Sequence, residues 1–227
     1  MTRHSDVNAA HDVLDAHDEH DDPLRAATAV SRRAALKAGA AGLAALFSLN
    51  HITPALADEL ARLAHGQPMT GPRLAAILRT ESEKWNTLLT QVGLDRMEIP
   101  GVEGDWSVKD LVAHLTWYEQ AVVEGAEQAL RTGAFTRRRP AGVSVDEQNV
   151  AIAAESRTQS VSAVLADADA VFARLLILIE TCPTDILNDP ARLGLPEDMT
   201  PWMGVANNSY AHYREHMPAL RAWLARQ

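Results

Sequence analysis

Apolar side chains recur at three-to-four-residue spacing in four stretches after residue 70, the signature of helices that bury one face. Leu74, Ile77, Leu78, Trp85, Leu88, Leu89 and Val92 form the first stripe. Gly71-Pro72 opens it, with proline suited to a first helical turn, and Gly93 closes it. Val108, Leu111, Leu115, Tyr118 and Val122 form the second, running to about Thr132. Ser107 is its N-cap, and Asp110, three residues on, completes a variant capping box. Ser144 and Glu147 repeat that signature and start a third helical region, which Ser156–Ser162 interrupts. Val161, Leu165, Ala168, Phe172, Leu175, Leu176 and Ile179 continue it until Cys182-Pro183 stops the helix. Thr200-Pro201 begins a fourth helix, with Val205, Ser209, His212, His216, Leu220 and Trp223 along it. Pro218 removes one backbone hydrogen bond and crowds the carbonyl of Arg214, so a kink or a fresh start is expected just after His216. No hairpin dipeptide or alternating stretch competes with helix. Four amphipathic helices joined by loops bury their faces as a bundle, so the expected fold class is all-α.

The first 57 residues follow a different pattern. Residues 1–30 mix His4, His11, His17 and His20 with seven acidic residues and carry no apolar stripe, which reads as a disordered, solvated tail. Metal scavenging by His11, His17 and His20 is the other reading of so histidine-rich a tract. Residues 31–57 begin with Ser31-Arg32-Arg33-Ala34-Ala35-Leu36-Lys37, continue through an uncharged, Ala- and Gly-rich run from Ala38 to Ala57, and end in Ala55-Leu56-Ala57 before Asp58. Paired arginines, a mildly apolar middle and a small-x-small site resemble a twin-arginine (Tat) signal peptide. A transmembrane anchor is disfavoured because the greasy part is short of the ~20 strongly apolar residues of a stable span. An amphipathic helix docked on the domain is the remaining rival. Residues 58–227 then form one domain. The resemblance implies passage through the Tat translocase to the periplasmic or cell-envelope side, with cleavage at Ala57-Asp58. Cytoplasmic and membrane-anchored locations are the alternatives.

Composition narrows the function. The chain has 227 residues, 47% hydrophobic and only 5% aromatic, which suits helices better than a β-sandwich. Its formal net charge is −9, which argues against a nucleic-acid partner. The charge resides mainly in the domain: residues 1–57 hold 7 acids and 5 bases, and residues 58–227 hold 23 and 16. One cysteine, Cys182, excludes an internal disulfide and a cysteine-based zinc site. It reads as a structural thiol rather than a nucleophile.

Beyond residue 66 the chain has three histidines, His114, His212 and His216. In His212-Tyr213-Arg214-Glu215-His216 the rings sit one helical turn apart, ~6 Å along the axis, the spacing by which a helix offers two imidazoles to one metal ion. A solvated or packed histidine pair has the same spacing. It is not the zinc-protease motif, because Tyr213 stands where that motif has glutamate. His114 lies one turn from Leu111 and from Tyr118 and is either a third ligand on the same interior or a packed histidine. Asp110 reads as a helix cap, with the second N–H of His114 as its other candidate partner. Asn149, Tyr213 and Glu215 are candidates for holding substrate or supporting ligands, and Arg137, Arg138 and Arg139 for meeting an anion or lining a solvated loop. Trp85, Trp106, Trp117 and Trp202 read as core or loop anchors.

The run Gly104-Asp105-Trp106-Ser107-Val108-Lys109-Asp110-Leu111-Val112-Ala113-His114-Leu115-Thr116-Trp117 resembles the second helix of the DinB/YfiT-like superfamily. The segment His212-Tyr213-Arg214-Glu215-His216, with Pro218, Arg221, Ala222, Trp223 and Leu224 after it, resembles that superfamily's last helix. Within it the ClbS/DfsB-type proteins look most similar, over about residues 72–227. The resemblance implies a DinB-like four-helix bundle, often a homodimer, with a divalent metal, zinc or nickel, on His114, His212 and His216. It implies a metal-dependent hydrolase, or a transferase using a low-molecular-weight thiol of the mycothiol or bacillithiol kind, acting on a small-molecule substrate. The alternative it carries is a non-catalytic small-molecule or toxin-binding resistance protein of ClbS/DfsB type, which need not keep the metal triad.

Overall fold

In the computed structural model, residues 67–227 are described, apart from Ala134, Arg137, Gly194, Pro196 and Asp198. The tail, the twin-arginine segment, its cleavage site and Arg137 lie outside the described residues.

Helix α1 spans Gly71–Val92. The Thr70 hydroxyl caps it by accepting from the amide of Arg73, Pro72 lies in its first turn, and Gly93 closes it by donating to the carbonyl of Leu89. Gly71 is required by space. A Cβ there would lie 2.3 Å from the carbonyl oxygen of Ile179, closer than packed atoms come. Two short strands follow, β1 (Pro100–Glu103) and β2 (Trp106–Ser107), paired antiparallel with an irregular register. Sequence patterning misses this hairpin because four residues and two are too few for alternation to show. Its turn depends on Gly104 at φ +60°, a conformation most side chains resist. Helix α2 (Val108–Thr132) starts at the expected Ser107–Asp110 capping box, and α3 (Val145–Ser156) at the expected Ser144–Glu147 box. The expected interruption separates α3 from α4 (Val161–Thr181), which Ser160 caps and Cys182-Pro183 ends. The short helix α5 (Thr184–Asn188) begins directly after that proline.

The fourth expected helix is divided. Helix α6 covers Pro201–Asn207 and α7 covers Tyr210–Leu224. The break falls at Asn208-Ser209, and α7 runs through Pro218, so no fresh helix starts after His216. Asn208 donates its side-chain amide to the carbonyl of Gly204, and Ser209 its hydroxyl to that of Val205. Side chains thus take carbonyls that a continuing helix would use. Pro218 is exposed, so water can satisfy the Arg214 carbonyl that the proline leaves without an amide.

Helix α4 packs between α1 and α2, and α7 lies against α1, α2 and β1, which closes an all-α bundle; α3 lies along α2. Two apolar clusters fill it. Leu74, Leu78, Val123, Leu175, Trp202 and Tyr210 build one; Trp85, Val108, Leu111, Leu115, Leu220 and Trp223 build the other. Burying a Leu or Val side chain stabilises by about 1.5–3 kcal/mol, so these clusters are the main source of stability. Among the described residues no helix is long and apolar enough to cross a membrane.

Candidate metal centre

Three histidines meet where α2, α7 and the β1–β2 hairpin come together. His114 is delivered by the second turn of α2, which the Ser107–Asp110 cap fixes in register. His212 and His216 come from successive turns of α7 and point the same way, as their spacing requires. One ring nitrogen from each of the three lies within 4.8 Å of the others. The Nε2 atoms of His114 and His212 are 3.0 Å apart. Ring centroids are separated by 4.7 Å for His114–His212, 4.9 Å for His212–His216 and 5.2 Å for His114–His216.

The electrostatics keep His114 in ligand form. Burial, reinforced by the neighbouring charge of His216, pushes His114 down to about 3, so its ring is neutral at pH 7. Nδ1 of His216 lies 2.7 Å from a carboxylate oxygen of Glu103 on β1. Its other nitrogen, Nε2, is buried with no hydrogen-bond partner, and so is Nδ1 of His114. A buried polar atom left this way costs about 1–3 kcal/mol. Nε2 of His216, which faces the other two rings, therefore carries a cost that a bound ligand can relieve.

A divalent metal fits this donor set. Tetrahedral zinc with bonds of about 2.0 Å to imidazole sets its nitrogens ~3.3 Å apart. The 3.0 Å His114–His212 separation reaches that by a few tenths of an ångström of ring movement. Glu103, by holding Nδ1 of His216, leaves Nε2 as that ring's ligand atom and occupies the outer-shell place that such histidines usually have filled.

The walls are aromatic. Trp106 meets His114 edge-on at 5.0 Å, and Tyr118 meets His114 at 4.9 Å and His212 at 5.1 Å. Asn149 on α3 accepts a 3.0 Å hydrogen bond from the Tyr118 hydroxyl, which fixes the ring over the histidines. Of the residues expected to support the site, Asn149 is there, against both Tyr118 and His114. Tyr213 is not: it points into the core, stacks on Trp85 at 5.8 Å and donates its hydroxyl to the buried Glu119. Glu215 is exposed. Asp110 serves as the cap and accepts from Ser107, Ser156 and Arg157, with no bond to His114. Burial would raise Asp110, but those donors outweigh it and hold its carboxyl below the usual range. Arg138 lies over Trp117 at 5.6 Å and pairs with Glu124, while Arg139 is buried and donates to the carbonyl of Val143. Cys182 is half-buried at the end of α4, and burial, with Asp185 nearby, raises its thiol. Trp85 and Trp202 are core residues, whereas Trp106 is a wall of the site rather than a simple anchor.

Sequence reasoning misses Glu103, Trp106 and Tyr118 as parts of this centre. Glu103 has no spacing signal, because its partner lies 113 positions away. Tyr118 stands one helical turn beyond His114, so the pair on one face of α2 was the available clue.

No family model matches the chain, and no curated protein matches it. Solved structures do. An uncharacterised protein from Escherichia coli UTI89 superposes with a TM-score of 0.56 at 19% identity, over 69% of this chain and 93% of that one. The colibactin self-resistance protein ClbS, solved in complex with a dsDNA, gives 0.56 at 18% identity, over 68% and 95%. A protein from Streptococcus pneumoniae gives 0.53 at 14%, over 69% and 91%. Likeness at such identities is likeness of fold, and the chain is an all-α, ClbS-like bundle.

Proposed function

We propose that this protein binds a divalent metal, zinc or nickel, through His114, His212 and His216, and acts with it on a small molecule. The reaction class proposed is hydrolysis, or group transfer with a low-molecular-weight thiol. The observation that carries the reading is the convergence of three imidazoles, two buried and one half-buried, from two helices within 4.8 Å, with a carboxylate behind one of them. A zinc or nickel ion held there supplies a Lewis acid that lowers the pKa of a bound water or thiol. The chain's residues do the rest. His114 stays neutral through burial and keeps a lone pair for the ion. Glu103 accepts the Nδ1 proton of His216 and orients that ring. Tyr118, held by Asn149, and Trp106 exclude water from the histidine side and leave a face for an organic substrate.

The test is metal analysis of the full chain purified from metal-replete medium. About one equivalent of zinc or nickel supports the reading. Its absence, with no metal taken up on titration, overturns it. A second reading is favoured by the fold match over 95% of ClbS: a resistance protein that binds a toxic small molecule without turnover. Stoichiometric binding without product, with and without mycothiol or bacillithiol, selects it over the enzyme. ClbS was solved with a dsDNA. For this chain the net charge of −9 supports a reading without nucleic acid. Export by the Tat translocase is part of the proposal. A reporter fused to residues 1–57 should be exported, and Arg32→Lys with Arg33→Lys should block it; unchanged export means another route.

A further inference from the structure

Two capping boxes of the same kind start α2 and α3, and they are built differently. At Ser144 the partner Glu147 is exposed, and its carboxylate takes its donors from Ser144. A cap requires no more than that. At Ser107 the partner Asp110 is 1% exposed. It accepts from the amide and the hydroxyl of Ser107 at 3.0 and 2.9 Å. It also accepts from the hydroxyl of Ser156 and from two N–H groups of Arg157, each at 3.4 Å. Burying a carboxylate is costly, and capping alone does not call for it. Lys109, the residue before it, repeats the pattern with the opposite sign. It is 3% exposed, and its ammonium donates to Glu98, ahead of β1, and to the carbonyl of Gln159, just past α3.

Two adjacent buried charges at the start of α2 thus each reach the hairpin segment on one side and the end of α3 on the other. Arg157 closes the third side by pairing with Asp105 in the hairpin turn at 3.2 Å. What these segments carry gives the arrangement its use. The hairpin sets Glu103 against His216 and Trp106 against His114. Helix α3 sets Asn149 against Tyr118 and His114. His114 itself stands one turn beyond Asp110 on α2. Neither outlying element has much packing of its own. A two-stranded hairpin is marginal by itself, and α3 buries only Ile152, Ala153 and Ser156.

We propose that Asp110, helped by Lys109, is a positioning residue for the histidine site. It locks the hairpin, the start of α2 and α3 into one unit, so that Glu103, His114 and Asn149 are in register before a ligand arrives. The purpose of that register rests on the metal reading; the locking itself does not.

The test is amide hydrogen exchange on the full chain without metal, followed by zinc titration. Asp110→Asn keeps the shape of the side chain and removes the charge that Arg157 meets. Residues 100–107 and 145–156 should then exchange at least about tenfold faster, and together, with α1 and α4 at wild-type rates. Faster exchange confined to the first turn of α2 overturns the proposal, because Asp110 is then a cap and nothing more. Glu147→Gln weakens the other box and should leave the hairpin at its wild-type rate; a hairpin loosened as much as by Asp110→Asn overturns the proposal too. Should Asp110→Asn fail to fold, Ser156→Ala with Arg157→Gln leaves the Ser107 box whole and cuts the ties to α3 and to Asp105. The hairpin and α3 should again loosen, and unchanged exchange overturns the proposal. Zinc affinity should fall about tenfold in Asp110→Asn and stay at the wild-type value in Glu147→Gln. Loosened segments with undiminished zinc affinity overturn the positioning role. A wild type that takes up no zinc overturns the metal reading instead, and the exchange rates then decide the locking by themselves.

Discussion

Helices α2 and α7 bury two sets of polar side chains, about a turn apart, and the sets are satisfied differently. On the core side, Glu119 of α2 accepts from the hydroxyl of Tyr213 on α7. Glu81 of α1 accepts from Arg214 of α7 at 2.8 Å and from Lys84 at 2.7 Å. On the hairpin side, His114, His212 and His216 crowd together, and Nδ1 of His114 and Nε2 of His216 have no hydrogen-bond partner. Both sets cost desolvation. The first finds its hydrogen-bond partners inside the fold, so it reads as structure. The second leaves part of it unrecovered, so it reads as a place for something from outside. This contrast separates the sets better than burial does, because Glu119 at 2% exposure is deeper than His216 at 9%.

The largest effect expected from breaking the contrast is loss of metal from His212→Ala. Two imidazoles remain, too few to hold zinc against chelator, and bound metal should fall to background with helix content unchanged. Metal retained at the wild-type level would mean that the histidine set is internally satisfied after all, like the Glu119 set.

The second effect is on stability against pH and belongs to Glu119 alone. Burial raises its carboxyl to about 8, partly offset by the Tyr213 hydroxyl, against an ordinary value of 4.5. The unfolded chain therefore loses this proton near pH 4.5 and the folded chain near pH 8. Between them the folded state holds one more proton, so Glu119's contribution is full below pH 4.5 and is lost as pH rises towards 8. Glu81, lowered chiefly by its hydrogen bond from Arg214, and Asp110, held down by its donors, slope the other way. The comparison of wild type with Glu119→Gln isolates the one group. The stability difference should tilt by up to about 1.4 kcal/mol per pH unit in this window, by urea unfolding at several pH values. A flat difference would mean that Glu119 is ionised in the fold.

How much of this was legible from sequence follows the range of the interactions. The capping boxes at Ser107 and Ser144, the stop at Cys182-Pro183 and the i,i+4 histidines act within one or two helical turns, and each appears where the sequence places it. The break at Asn208-Ser209 is equally local, yet Pro218 was the louder signal. What decided it was which carbonyls had another donor. His114 joined the histidine pair through resemblance to a family rather than spacing. Glu103 was out of reach, because a strand of four residues brings it to a partner on the last helix.

Glu103 gives the third test, and it sharpens the contrast. If the histidine set is built for a metal, the carboxylate behind His216 matters through the metal. Glu103→Gln should weaken zinc binding by about 10–100-fold while leaving the unfolding midpoint of the metal-free protein nearly unchanged. Loss of metal-free stability with unchanged zinc affinity would place Glu103 with the structural pairs instead.

The smallest effect comes from Tyr213→Phe, the mirror of that experiment on the core side. The ring's stacking on Trp85 is kept, and only the hydroxyl given to Glu119 is lost. Losing it leaves the buried Glu119 carboxyl without this partner, which costs about 1–3 kcal/mol, so the urea midpoint should fall. Zinc affinity should stay at the wild-type value, although Tyr213 sits next to His212 in the chain. The reason is directional: one residue along a helix is a turn of 100°, which takes the side chain from the histidine face to the core face. A drop in zinc affinity would show that the two polar sets are coupled through α7.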